Sequence, residues 1–178
     1  YQTLVIYAFK KFNSFGIDFS DYMDSIVIKF ENTRSRWYSS RSQMVLNVKP
    51  MWSYSEFINV FIHELGHFLD FDYLNWDLNM PKDKKFTEFG KIVFPIDDPS
   101  IDFFKFNRLS EDTRKKWITY KDFVSGYAMT NPFETLAETM NFYINYNGIF
   151  KELVKQSPAL GNQYQFMEEI FGWQYISD

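Results

Sequence analysis

Residues 53–71 read Ser53-Tyr54-Ser55-Glu56-Phe57-Ile58-Asn59-Val60-Phe61-Ile62-His63-Glu64-Leu65-Gly66-His67-Phe68-Leu69-Asp70-Phe71. Ser53 with Glu56 three residues on is the start signal of a helix, a capping box. Ile58, Ile62, Leu65 and Leu69 then recur at helical spacing. Phe57, Val60, Phe61 and Phe68 cover most of the remaining surface, and a helix apolar all round is a buried one. Toward its end His63, Glu64 and His67 break the apolar surface. Positions i and i+4 share a helix face, so both imidazoles can reach one ion, and Glu64 flanks the first of them. Such groups are costly inside a core without partners; a bound cation and its solvent would satisfy them. Gly66 costs about 1 kcal/mol relative to Ala in a helix interior. Its expected use is to let another backbone pack close beside the ion.

His63-Glu64-Leu65-Gly66-His67 is the H-E-x-x-H pattern of zinc metallopeptidases, in which the Glu acts on water beside the metal without being a ligand. The chain has 2 histidines, and both lie in this motif. The bland alternative is two core histidines satisfied by carbonyls and a solvated helix glutamate. A catalytic zinc takes three protein ligands and keeps one position for water. With no third histidine and no cysteine, the third ligand must be Asp or Glu. The metzincin arrangement is excluded, because the position six residues beyond His67 is Tyr73.

Many downstream carboxylates qualify by residue type, and two stand out. Asn131-Pro132-Phe133-Glu134 opens a helix, with Asn at N-cap, Pro at N1 and Glu at N3. Thr135-Leu136-Ala137-Glu138 continues it and places Glu134 and Glu138 on one face. Like charges at that spacing repel by a few tenths of a kcal/mol in a bare helix. They make sense together if one binds metal and the other accepts a hydrogen bond from a ligand imidazole, fixing its tautomer and orientation. Without the upstream motif, the pair reads as a solvated acidic first turn favoured by the helix dipole.

The stretch Asp122-Phe123-Val124-Ser125-Gly126-Tyr127-Ala128-Met129-Thr130-Asn131-Pro132-Phe133-Glu134-Thr135-Leu136-Ala137-Glu138, taken with His63-Glu64-x-x-His67, resembles the signature of gluzincins related to the anthrax lethal factor catalytic domain. The clostridial Pro-Pro endopeptidases belong to the same group. The resemblance rests on His63, Glu64, His67, Tyr127, Thr130-Asn131, Glu134 and Ala137-Glu138. It implies that Glu134 is the third zinc ligand and that Tyr127 hydrogen-bonds the oxyanion. It agrees with Glu138 orienting a ligand imidazole. The tail from Ser157-Pro158 through Phe171 is similar in pattern, a closing helix. The motifs cover about a quarter of the chain, and nothing between His67 and Tyr127 aligns.

Ahead of the motif helix, residues 2–13 carry a helical stripe of Leu4, Val5, Ala8, Phe9 and Phe12. Residues 20–24 read as a turn or short helical piece. Ser25–Glu31 reads as a strand, Asn32–Ser42 as a hairpin-like connection with a short strand near Trp37-Tyr38, and Gln43–Val48 as a second strand. Strands feeding an H-E-x-x-H helix are the zincin layout. There an edge strand can pair with an extended peptide, and Met44, Val45, Leu46, Asn47 and Val48 are the expected edge. Residues 73–100 read as a long excursion with a helical piece near Phe86–Ile92, able to wall the cleft. Residues 101–108 and 110–119 read as short helices.

At 178 residues the simplest organisation is one domain with a sizeable core. The expected fold class is α+β and zincin-like: a small mixed or antiparallel sheet packed on the active-site helix within residues 1–72, then a mainly helical part, 73–178. Aromatics at 21% argue against disorder. A net charge of −4 offers no basic face for nucleic acid. No apolar run approaches the length of a membrane span. Zero cysteine excludes disulfides and thiolate chemistry. A chain beginning at Tyr1 reads as a mature form or an excised domain, and a secreted bacterial protein is the favoured setting.

The expected activity is zinc-dependent peptide hydrolysis by a monomer acting on a peptide or protein substrate. One Zn²⁺ is held by His63, His67 and Glu134, with Glu64 as general base and Tyr127 at the oxyanion. Two other readings stand beside it: a non-catalytic protein-binding module on the same scaffold, and an intracellular regulatory peptidase with a single partner substrate.

Overall fold

The computed structural model describes residues 1–19, 23–31, 37–40, 43–74, 86–95 and 98–172. Among them the chain is α+β, with six α-helices and two small sheets. Helix α1 (Gln2–Ser14) is followed by strands β1 (Ser25–Lys29), β2 (Trp37–Ser40) and β3 (Gln43–Asn47). Residues 20–22 of the expected turn at 20–24 lie outside the described residues.

The first sheet has the order β1-β3-β2. β1 runs parallel to β3, with Ser25 opposite Gln43 and Lys29 opposite Asn47; β2 runs antiparallel, with Trp37 opposite Leu46 and Ser40 opposite Gln43. The edge role expected for Met44–Val48 is therefore corrected. β3 is the central strand, and its backbone is paired on both sides. Met44, Val45 and Leu46 are each at most 1% exposed, so both faces of the strand are buried. An unbroken apolar run is the signature of such a strand, whereas a half-exposed edge alternates. Among the described residues, the edges of this sheet are β1 and β2.

Helix α2 (Tyr54–Phe68) starts where Ser53 accepts a hydrogen bond from the Glu56 N–H at 3.0 Å. The Glu56 carboxylate turns back to the Trp52 N–H at 2.7 Å, one residue earlier than a strict capping box requires. Beyond Phe68 the helix widens into a π-turn, Leu69–Tyr73.

Residues 86–92 are not helical. They belong to an antiparallel hairpin of β4 (Phe86–Phe89) and β5 (Ile92–Pro95), closed by Gly90 and Lys91, with Gly90 at φ +73°. A two-residue loop with a positive-φ glycine suits a hairpin. The Glu111 side chain fills the space a Cβ at Gly90 would need, and its carboxylate accepts the Lys91 N–H at 2.7 Å.

Helix α3 (Pro99–Asn107) begins at Asp98, which accepts the Ser100 N–H at 2.9 Å. The helix expected at 110–119 is absent. Residues 108–114 fold back through an Arg108–Arg114 bridge, and Leu109 N–H donates to the Thr113 carbonyl at 2.8 Å. The segment's charged residues have good helix propensity, but it lacks an apolar stripe to dock a helix.

Two 3₁₀ turns follow, Tyr120–Asp122 and Tyr127–Met129, then α4 (Pro132–Asn145), α5 (Asn147–Val154) and α6 (Pro158–Phe171). The core sits where α2 crosses α4. Phe57, Phe61 and Leu65 of α2 and Leu136, Met140 and Tyr143 of α4 are fully buried there. Phe12 of α1 and Phe171 of α6 close it, their rings 6.0 Å apart. No helix among the described residues is long and apolar enough to cross a membrane.

Candidate metal centre

Two helices build the site. α2 presents His63 and His67 one turn apart, with ring centroids 5.0 Å from each other and nearly perpendicular, at 86°. α4 presents Glu134 from its first turn. Asn131 accepts the Glu134 N–H at 2.9 Å and Pro132 occupies N1, so the helix starts where that carboxylate faces α2. The helix N-terminus also favours the negative charge.

Glu134 Oε2 lies 3.0 Å from His63 Nε2 and 3.5 Å from His67 Nε2. One ligand atom from each of the three residues falls within 4.8 Å of the others, and among the described residues this is the one such cluster. Two imidazole nitrogens and a carboxylate oxygen suit a borderline divalent cation with a position left open. The remaining nitrogen of His63, Nδ1, contacts Glu138 Oε1 at 2.8 Å. A ligand imidazole that donates its second N–H to a carboxylate presents a lone pair at the other nitrogen. The three residues therefore fit a metal ion.

The helices approach closely enough for this because of Gly66. A Cβ there would lie 2.6 Å from the Ala137 Cα and 3.0 Å from its Cβ. The expectation that Gly66 admits a second backbone beside the site is met by α4.

Glu64 points into the same region and is 2% exposed. Burial lifts its carboxyl to about 9; the His63 charge opposes that shift and the Glu134 charge adds to it. Tyr127 stands on its 3₁₀ turn with its ring centroid 5.6 Å from that of His63, 53% exposed. Burial of the hydroxyl, the Glu134 charge and a hydrogen bond to Glu134 raise its phenol above the ordinary value. On the far side of His67 the half-exposed Phe71 stacks at 6.3 Å, and Phe133 lies 5.1 Å beyond. The cluster thus has a phenol on one flank and an aromatic shelf on the other.

The structure brings together His63, Glu64, His67, Tyr127, Glu134 and Glu138, and leaves Met44–Val48 in the sheet. Ser125 and Arg108 were not singled out from sequence. Ser125 Oγ donates to Glu138 Oε2 at 2.5 Å. The guanidinium of Arg108, a residue 3% exposed, donates to the carbonyls of Glu111 and Met129 at 3.1 and 2.9 Å. Their partners lie 3 to 21 residues away and are set by the loop path, which no residue spacing announces.

Without metal, burial would lower the His63 pKa, but Glu134, Glu138 and Glu64 outweigh it and raise it from 6.5 to about 9. That proton's contribution to stability is complete below pH 6.5 and is lost as pH rises through about 9. For Glu134, burial is outweighed by the two imidazoles, and the carboxyl falls from 4.5 to about 2. Its contribution is present above pH 4.5 and lost as pH falls through about 2. A cation must displace the His63 proton. Metal affinity is therefore expected to rise about tenfold per pH unit up to about pH 9. Competition with a chromophoric chelator at several pH values checks this, and a flat profile would rule out the protonated His63 pair.

Comparison of the chain with protein-family models, with curated proteins and with solved structures finds no match.

Proposed function

We propose that the chain is a zinc-dependent endopeptidase of zincin type, hydrolysing peptide bonds in a protein substrate. The observation that supports this most is the convergence of His63, His67 and Glu134 around one point, with the buried Glu64 carboxyl beside it. A structural metal site has no use for a further buried acid beside its donors that ligates nothing.

His63 and His67 would hold a cation through Nε2 and Glu134 through its carboxylate, while Glu138 keeps the His63 proton on Nδ1. A divalent cation held there supplies Lewis acidity, making water a better nucleophile and polarising the scissile carbonyl. The charge of a cation held there would draw the Glu64 carboxyl down from the value of about 9 it has without metal, so that Glu64 can accept the proton of the attacking water and deliver it to the leaving amine. Its burial keeps that proton from exchanging freely with bulk water. Tyr127 donates its phenol hydrogen to the developing oxyanion, and its raised pKa keeps that hydrogen in place at neutral pH. The closeness of the Tyr127 ring to His63, 5.6 Å between centroids, supports this role.

The purified chain is expected to bind zinc stoichiometrically and to cleave members of a peptide library. A chelator should abolish cleavage and added zinc restore it. Tyr127→Phe is expected to keep zinc and lose about a hundredfold or more in turnover, since one oxyanion donor is worth about 2.7–4 kcal/mol. An intact chain that takes up no metal would sink the reading, and an unchanged Tyr127→Phe rate would remove Tyr127 from it.

A further inference from the structure

We propose that Ser125 is a positioning residue that couples the carboxylate orienting His63 to the turn presenting Tyr127. The catalytic half of this inference rests on the peptidase reading above; the metal-binding half does not.

The Ser125 hydroxyl has one hydrogen to give, and it gives it to Glu138 Oε2 at 2.5 Å. The other Glu138 oxygen takes His63 Nδ1 at 2.8 Å. The Ser125 oxygen in turn accepts the Ala128 N–H at 3.1 Å, inside the Tyr127–Met129 turn. A directional chain results: Ala128 N–H to Ser125, Ser125 O–H to Glu138, His63 Nδ1–H to Glu138. An ionised carboxylate only accepts, so both neighbours must donate to it. This fixes the His63 proton on Nδ1 and leaves Nε2 free for the ion.

The same hydroxyl fixes the turn. The Ala128 carbonyl accepts from Thr135 Oγ1 at 2.7 Å, and the Met129 carbonyl from Arg108 at 2.9 Å. Thr135 and Arg108 hold the turn by its carbonyls, and Ser125 holds it by an N–H. Of these anchors, Ser125 alone also touches the carboxylate behind His63. One side chain therefore ties the imidazole and the phenol into one arrangement, although they belong to segments 64 residues apart in sequence (127 − 63).

The test uses the full chain and two readouts, zinc affinity by chelator competition and kcat on a cleaved peptide. Ser125→Ala should weaken zinc binding roughly tenfold, at the low end of what orienting partners contribute. Ser125→Thr, which keeps the hydroxyl, should restore it. Ser125→Cys keeps the size and only a weak donor, and should behave like Ala; it serves if Ser125→Ala fails to fold. In a Glu138→Gln background, Ser125→Ala should cost no further zinc affinity. In a Tyr127→Phe background, its effect on kcat should shrink. Wild-type zinc affinity in both Ser125→Ala and Ser125→Cys overturns the proposal, as does an equal loss with and without the Glu138 carboxylate. If the wild-type chain cleaves no peptide, the peptidase reading fails while the zinc measurements still decide whether Ser125 acts through Glu138.

Discussion

Glu64→Gln is expected to retain stoichiometric zinc and to lose peptide cleavage by about 10²–10⁴-fold, the usual contribution of a positioned general base. The substitution keeps side-chain size and a hydrogen-bonding end but cannot accept the water proton. Glu64 is 2% exposed, so an amide of the same shape disturbs packing little. A metal would be held by other atoms: His63, His67 and Glu134 supply the converging donors. Loss of activity with zinc retained separates a proton carrier from a ligand. Cleavage that persists in Glu64→Gln would end the general-base assignment; loss of zinc along with activity would instead make Glu64 part of the metal cage.

The second large effect is expected at Gly66, where Gly66→Ala should lower both thermal stability and zinc affinity. On helix propensity alone the substitution would stabilise by about 1 kcal/mol. Against that stands a new Cβ 2.6 Å from the Ala137 Cα and 3.3 Å from its carbonyl oxygen. Backbone atoms of a packed helix cannot rotate away, so α2 and α4 must separate, and overpacking of this kind costs about 1–3 kcal/mol. The separation falls where the converging donors of the two helices meet. Ala137→Gly in the same chain relieves the 3.0 Å contact with the Ala137 Cβ but not the one with its Cα, so it should rescue only in part. Melting curves with and without zinc, together with chelator competition, measure this. A Gly66→Ala chain with wild-type melting and wild-type affinity would show that the helices have room to spare.

The parts legible in sequence are those set by local chemistry. Ser53 and Asn131 cap the helices on which the site stands, and each cap is readable from a few neighbouring residues. The i, i+4 spacing of His63 and His67 needs only helical geometry, and with no other histidine a third donor at a catalytic zinc would have to be a carboxylate. The choice of Glu134 over Glu138 came from a resemblance, and the structure sets Glu134 against both Nε2 atoms and Glu138 behind His63. What was not legible depends on long-range order. Gln43–Asn47 is a strand either way, but whether it is central depends on β1 pairing with it from the far side. Its unbroken Met-Val-Leu run was the available sign. The hairpin at 86–95 was hidden because Phe, Thr and Ile fit either periodicity over so short a run. Gly90 followed by one polar residue was its clearest signal. Ser125 carries no signal of its own, since a serine ahead of a turn is ordinary until the carboxylate 13 residues on folds back to it.

The start of α4 has a consequence for how much this segment can vary. A helix turns by about 100° per residue. Glu134 sits two residues after Pro132 and three after Asn131, so these two residues set its rotational phase. Were α4 to begin one residue earlier or later without compensation, the carboxylate would swing about a quarter-turn away from the imidazoles, however well the core still packed. The Asn131-Pro132-Phe133-Glu134 spacing is the index mark that keeps one helix in step with the other.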